Sequence, residues 1–181
     1  SVEGVKRMQT LINDLLTYAR LTTRGREFKT LSLTQLMLQV AQNLAPAIDE
    51  AKAELEVGEL PTVLGDASQL AQVLQNLVSN ALKFRSPERQ SHVKISARRE
   101  VDEWVLAIED NGIGIDSQYK DRIFVVFQRL HTRDHYPGNG IGLAICKKVV
   151  ERHHGRIWFE SELGRGSTFY FSLPVPRSGQ A

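Results

Sequence analysis

Residues 67–84 read ASQLAQVLQNLVSNALKF. The periodicity is that of a helix with two distinct faces. Leu70, Leu74, Leu77 and Ala81 recur at helical spacing and make an apolar stripe that faces a core. Asn76, Asn80 and Lys83 stand at i, i+4 and i+7, within roughly 60° of one another and roughly 100° from the apolar stripe. A helix with one apolar and one amide-rich face can form the wall of a polar pocket. Amide oxygens suit Mg²⁺, a hard cation that prefers oxygen ligands, and Lys83 can meet a phosphate as a point charge. Taken alone, the same face fits a solvated helix surface. Asp66 is placed to cap this helix, with Gln69 at the capping-box position.

Three glycine-bearing stretches follow. Asp110-Asn-Gly112-Ile-Gly114 comes after a strand that the alternation ends near Glu109. A carboxylate there can accept from an exocyclic amine, and two glycines let backbone approach a flat ligand closely. A tight turn with an Asx cap fits the residues as well. Gly138-Asn-Gly140-Ile-Gly142-Leu143 opens into a helix over Leu143–Glu151, whose free amides and dipole favour anions. It is neither a P-loop nor a dinucleotide fingerprint, since no Gly-Lys-Ser/Thr follows and no strand precedes. Gly164-Arg-Gly166-Ser-Thr168 reads as the turn of a hairpin between Ile157–Glu160 and Thr168–Leu173.

The remaining elements fill in around these. Residues 92–99 and 103–109 alternate as a hairpin, and a short helix is expected near 117–123. Upstream, short strands are expected at Glu54–Val57 and Thr62–Leu64. A helix from Ser32 or Thr34 to Lys52 presents Leu36, Val40, Leu44 and Ile48 on one face, bent or divided at Pro46. Residues 2–22 carry Val5, Met8, Ile12, Leu15, Ala19 and Thr22 at alternating steps of three and four, a coiled-coil seam. Leu11, Leu16 and Tyr18 widen it as in a four-helix bundle, the alternative being a helix packed on its own domain. TTRG at 22–25 reads as a hinge. The expected organisation is therefore a helical piece at 1–24 and a domain at 25–181. With strands and helices mixed but not strictly alternating, the fold class is an α/β sandwich with a mixed sheet.

Composition narrows the function. In 181 residues, 23 Lys and Arg balance 21 Asp and Glu, so no bulk charge drives binding to nucleic acid and any phosphate site is local. Cys146 is the only cysteine, which excludes an internal disulfide and a cysteine zinc site. No apolar run reaches the ~20 residues that cross a bilayer, and the first residues are not a signal peptide. The chain starts without Met, inside a helical pattern, and reads as a fragment of a longer protein with no membrane contact of its own.

The order of the motifs is their specific feature. Asn76-x-x-x-Asn80-Ala-x-Lys83-Phe84, then Asp110-x-Gly112-x-Gly114, Phe124-x-x-Phe127, Gly138-x-Gly140-x-Gly142-Leu143 and Gly164-x-Gly166-Ser-Thr-Phe resemble the catalytic domain of sensor histidine kinases over about residues 27–174. That domain belongs to the gyrase, Hsp90, histidine kinase and MutL ATP-binding superfamily. The helix at 2–22, with LINDLLTYAR, resembles the second helix of the dimerising histidine-phosphotransfer hairpin. Residues 136–174 resemble the kinase tails of phytochrome-type light sensors.

The resemblance implies ATP and Mg²⁺ as cofactors, with roles position by position. Asn80 is implied to hold Mg²⁺, Asn76 to be the first asparagine of that box, Lys83 to contact phosphate and Phe84 to lie beside the nucleotide. Asp110 is implied to recognise adenine, with Gly112 and Gly114 bringing backbone to the base. Arg129 is implied to reach the γ-phosphate from a lid over about 128–139. Gly138, Gly140 and Gly142, with Leu143, anchor that lid and cradle phosphates. Arg85 and Asn139 depart from the family's usual Ser or Thr and Thr. A Glu stands at the position of Asn76 in the gyrase-like and Hsp90-like ATPases; a neutral amide there cannot take a proton, which favours phosphoryl transfer over hydrolysis. The implied function is transfer of the γ-phosphate to a histidine outside this chain, for relay to an aspartate on a response regulator receiver domain. The whole protein is then a cytoplasmic kinase that dimerises through the hairpin. The rival readings are a module acting mainly as phosphatase or docking surface for its regulator, and a gyrase-type or MutL-type ATPase. Of the histidines, His131 and His135 in the lid lack further metal ligands. His153 and His154 are expected at a helix C-terminus, where positive charge is favourable. Cys146 is expected to be an inert core residue.

Overall fold

A computed structural model describes residues 1–21, 26–125 and 140–177. In chain order the elements are α1 (Val2–Arg20), β1 (Lys29–Ser32), α2 (Leu33–Asn43), α3 (Ala45–Ala51), β2 (Glu54–Val57), β3 (Thr62–Gly65) and α4 (Ala67–Lys83). Then come β4 (His92–Arg99), β5 (Glu103–Asp110), a single 3₁₀ turn at Ser117–Tyr119, α5 (Gly142–Arg152), β6 (Ile157–Glu162) and β7 (Gly166–Pro174). Five strands form one sheet in the order β2-β4-β5-β7-β6, and β1 and β3 pair separately as an antiparallel ribbon. The β2–β4 pair is parallel and the others antiparallel, so the expected mixed sheet is found.

The sheet's inner face explains the layering. Ile95 pairs with Ile108 and Ile108 with Phe169, while Leu106 pairs with Phe171 on the same face. All five are buried, and they pack in one core with Leu70, Val73, Leu74, Leu77 and Val78 of α4 and Ile145, Val149 and Val150 of α5. The apolar face of α4 is thus wider than the four residues read from the sequence, because Val73, Val78 and Leu82 are buried as well. The polar face, with Asn76, Asn80 and Lys83, stays half-buried.

One strand escapes the sequence reading, one expected division is found, and one expected cap needs correction. The ribbon strand β1 carries no alternation strong enough to read, since Lys29 and Thr30 are exposed and only Leu31 and Ser32 partly covered. The second helix is divided next to Pro46, as its sequence allowed: Ser32 caps α2 by accepting from the Gln35 amide, the chain leaves helical geometry at Leu44, and Pro46 sits in the first turn of α3, where its missing N–H costs nothing. The capping box on α4 is half made. Asp66 accepts from the Gln69 amide at 3.1 Å, but the Gln69 side chain turns away, donating to the Leu21 carbonyl and accepting from Arg152 at 2.7 Å.

That turn of Gln69 belongs to a knot of polar contacts joining α1, α4 and α5. Asp66, 3% exposed, accepts from the Arg26 amide at 2.9 Å and pairs with Arg152 at 3.5 Å. Arg152 also donates to the Arg26 carbonyl and lies over the Phe28 ring. His153 stacks on Phe28, donates from Nδ1 to the Val149 carbonyl at 2.8 Å, and accepts from the Asp66 amide at Nε2 at 3.0 Å. This is the neutral tautomer, so the expected helix-terminal cation is not His153. Burial pushes its pKa below the usual 6.5, Arg152 and His154 act in the same direction, and the Val149 bond and Asp66 oppose them. A base with a lowered folded pKa contributes stability that is present above pH ~6.5 and lost as pH falls below it. The thermal midpoint should therefore drop between about pH 7.5 and about pH 5.5, and the drop should be shallower in His153→Asn; parallel profiles would show that His153 does not carry it.

Through this knot α1 lies along α5, with Lys148 over the Tyr18 ring at 4.3 Å and Leu11 and Tyr18 against the core. The predicted seam is a different face. Val5, Met8, Ile12 and Leu15 are all exposed, as is Leu16. The helix thus packs on its own domain through Leu11 and Tyr18, two residues read as widening the seam, and leaves the seam face itself exposed.

Candidate functional site

Three elements meet at the far end of α4 from Asp66. The helix ends with the Phe84 amide bonded to the Asn80 carbonyl and the Arg85 guanidinium on the Leu82 carbonyl. The Phe84 carbonyl, which an isolated helix would leave to water, accepts from the Ile113 amide at 3.0 Å. This bond brings the loop after β5 against Lys83 and Phe84. The start of α5 is tied in by Asn76, whose Nδ2 donates to the Gly142 carbonyl at 3.2 Å. The two bonds thus bring the Asp110–Gly114 loop against the end of the α4 face that carries Asn76, Asn80 and Lys83, and the Gly142 start of α5 against Asn76 on the same helix. Arg129 and Gly138, and with them the lid, lie outside the described residues, as do Phe127 and Asn139. The near anchor of that segment is described: Phe124 packs edge-on against Phe159 and Phe169.

Asp110 is the last residue of β5. Its Oδ1 accepts from two backbone amides, Gly112 at 2.9 Å and Ser167 of β7 at 3.3 Å. Burial pushes its carboxyl up from the usual 3.8 to about 6; the two amides resist, Glu109 adds to the rise and Arg89 opposes it. A half-buried carboxylate that titrates near neutrality, fixed by one oxygen, is a group whose protonation a ligand can change.

The glycines of this loop have reasons within the chain. A Cβ on Gly112 would meet the Phe84 carbonyl, and one on Gly114, at φ +75°, would meet the Glu162 carbonyl. They permit backbone to pack on backbone between loop, α4 and the β6–β7 turn, in addition to any approach by a ligand. The third glycine pair splits in role. Gly164 is an open turn residue, whereas a Cβ on Gly166, at φ +131°, would strike the Asp110 carbonyl. Gly166 thus lets β7 close under Asp110. Sequence reasoning missed this, and also Ser167 and Ser161, whose hydroxyls bond each other while Ser161 accepts from the Ile115 amide at 2.7 Å. The Gly-x-Gly-Ser spacing was visible, but its contact with a residue 57 positions upstream was not.

The cysteine beside the site is structural. Cys146 is buried at Asn76 and the Val73 carbonyl, and burial pushes its thiol up to about 12. Among the described residues no group of three His, Cys, Asp or Glu side chains is placed to hold a metal ion. The oxygen donors facing the site on α4 are asparagine amides, a set that suits a cation carrying its own waters.

Comparison with known proteins agrees with this architecture. Residues 65–177 match the model of the histidine kinase-, DNA gyrase B-, and HSP90-like ATPase family. Phytochrome-like protein Cph1 of Synechocystis sp. is 51% identical over 175 residues, covering 97% of this chain and 23% of that protein, so the chain spans about a quarter of that relative's length. Among solved structures, full-length ShkA in complex with AMPPNP superposes with a TM-score of 0.80 at 29% identity, over 97% of this chain and 37% of ShkA. Histidine kinase ThkA in complex with the response regulator protein TrrA superposes with a TM-score of 0.76 at 25% identity, over 99% of this chain and 50% of that one.

Proposed function

The chain belongs to the histidine kinase-, DNA gyrase B-, and HSP90-like ATPase family and is a histidine kinase catalytic ATP-binding domain, and from that premise we propose how its residues hold ATP and pass on the γ-phosphate. The observation that supports this is the pair of bonds Ile113–Phe84 and Asn76–Gly142, which tie the loop of a fixed carboxylate and the start of α5 to the helix that carries the amide-and-lysine face. In this reading Asp110, its Oδ1 committed to backbone, accepts from the adenine amine at Oδ2. Lys83 and the amides at the start of α5 meet the phosphates, and Phe84 lies beside the nucleotide. Asn80 holds Mg²⁺, which when bound offsets the negative charge of the phosphate tail. Arg129, Gly138 and Gly140 belong to the same proposal, as the lid that closes on the γ-phosphate.

Asn76 supports transfer to a side chain over hydrolysis. Its Nδ2 is engaged by Gly142, and an amide offers no basic atom with which to deprotonate water. The chemistry left to this domain is positioning and charge stabilisation, which supply most of the acceleration in phosphoryl transfer. The acceptor is a histidine on the helical hairpin of the whole protein, and the phosphoryl group passes on to a receiver-domain aspartate. ThkA, solved with a response regulator protein, supports a partner of that kind. The exposed seam of α1 is the dimerising surface of the hairpin, which makes residues 1–24 and 25–181 two functional pieces. No helix among the described residues is long and apolar enough to cross a membrane, and a cytoplasmic location fits the supply of ATP.

Titration calorimetry with ADP, with and without Mg²⁺, tests the site. Asn80→Ala should weaken binding about tenfold or more and remove most of its Mg²⁺ dependence. An Asn80→Ala protein that keeps both would place the cation elsewhere.

A further inference from the structure

Arg89 lies on the loop between α4 and β4, outside every motif discussed so far, yet its guanidinium carries the loop that presents Asp110. Nε donates to the Asn111 carbonyl at 2.6 Å, and Nη2 donates to the Gly112 carbonyl at 2.6 Å and the Gly164 carbonyl at 2.9 Å. Three carbonyls on two segments converge on one planar fork. The same loop has other ties: Asn111 accepts from the His92 amide and donates to the Gln90 carbonyl, and the Gly164 amide donates to the Ile113 carbonyl. Those bonds fix one segment to one other. Arg89 alone among the described side chains bonds to both the Asn111–Gly112 segment and the β6–β7 turn. Asp110 Oδ1 is held by the Gly112 amide of the first segment and by the Ser167 amide of β7, the strand that the turn leads into.

We propose that Arg89 is a positioning residue for the nucleotide base: it locks the Asn111–Gly112 carbonyls to the Gly164 turn and so sets the aim of the Asp110 carboxylate. The inference rests on the nucleotide reading of this site. The guanidinium matters by shape as well as charge. Its two donors along one edge match neighbouring carbonyls on successive residues, while a lysine ammonium is a single point on a flexible stem. Geometry and charge are therefore separable. The charged neighbours of Asp110 are Glu109 on its own strand and Arg89 on this loop, with β7 presenting the Ser167 amide.

The experiment is ADP calorimetry across pH on wild type, Arg89→Lys and Arg89→Gln, with thermal unfolding of each. Arg89→Lys should bind about tenfold more weakly with its pH midpoint unmoved, because the charge remains and the fork is gone. Arg89→Gln should bind at least as weakly, with its midpoint moved to higher pH. Unchanged affinity in both variants overturns the proposal. So does a loss that tracks a fall in thermal stability with no movement of the Arg89→Gln midpoint, since that is the behaviour of a merely structural tie. If wild type itself binds no ADP, the nucleotide reading fails and this inference fails with it; a wild type that binds and variants that match it refute Arg89 alone.

Discussion

Asp110→Asn should lose ADP binding by about a hundredfold or more while leaving the unliganded domain at least as stable as wild type at neutral pH. The two effects have one cause. The asparagine oxygen can still accept from the Gly112 and Ser167 amides, so the loop keeps its internal bonds. It presents an amide where the base amine needs an acceptor of full charge, and any rotamer that keeps Oδ1 in place aims N–H groups at the ligand. Stability moves the other way because burial raises the carboxyl from 3.8 to about 6. An acid with a raised folded pKa binds more protons in the native state than in the unfolded state between those values. Its contribution to stability is greatest at low pH and is lost as pH rises through about 6. Above that, wild type carries the cost of a buried charge that Asp110→Asn does not. Asp110→Ala is the contrasting variant: it removes the acceptor from two backbone amides and should both abolish binding and destabilise the loop. Wild-type affinity should itself fall as pH drops through about 6, when the acceptor is protonated. Calorimetry and thermal unfolding on the same samples read both effects. An Asp110→Asn protein that binds ADP as wild type does would show that the base is held elsewhere.

How much of this was legible in the sequence follows the range of the interactions involved. The faces of α4 are written at a period of 3.6 within one segment, so the polar stripe and the core stripe can be read and the helix bounds found nearly to the residue. The hairpins are legible for the same reason. The strand order is not: β7 inserts between β5 and β6, and no local pattern in 166–174 says which neighbours it takes. The site divides along the same line. Asn76, Asn80, Lys83 and Asp110 are singled out by type and spacing. Arg89, and the hold that Gly166 and Ser167 have on Asp110, act through contacts across 20 or more positions; the Gly-x-Gly-Ser spacing marks a turn but not the residue it closes on. Gln69 shows the converse: its capping-box spacing was correct, and a long-range partner, Arg152, took its side chain. Likewise His153 stands where a helix-terminal cation is favourable, but burial beneath Phe28 keeps it neutral.

The second large effect belongs to the opposite end of α4. Asp66→Ala should destabilise the domain by about 3 kcal/mol. The residue does three jobs with one carboxylate: it caps α4 through the Gln69 amide, accepts from the Arg26 amide, and pairs with Arg152. Losing a cap costs ~1 kcal/mol, and removing one partner of a pair leaves the other charge partly buried and uncompensated. Asp66 is 3% exposed and the Arg152 side chain 22%, so the penalty falls short of that for a fully buried pair. Asp66→Asn separates the contributions, since its oxygen can still cap α4 but no longer neutralises Arg152; it should recover about 1 kcal/mol. The effect on α1 should exceed the effect on the core. Arg152 holds Gln69, and Gln69 holds the Leu21 carbonyl, so freeing Arg152 loosens the chain of contacts that keeps α1 along α5. Hydrogen exchange should therefore accelerate in α1 before it does in β5 or β7, while ADP affinity, determined at the far end of α4, changes little. If affinity falls in step with stability, the two ends of α4 are one cooperative unit, and the separation of anchor from site is wrong.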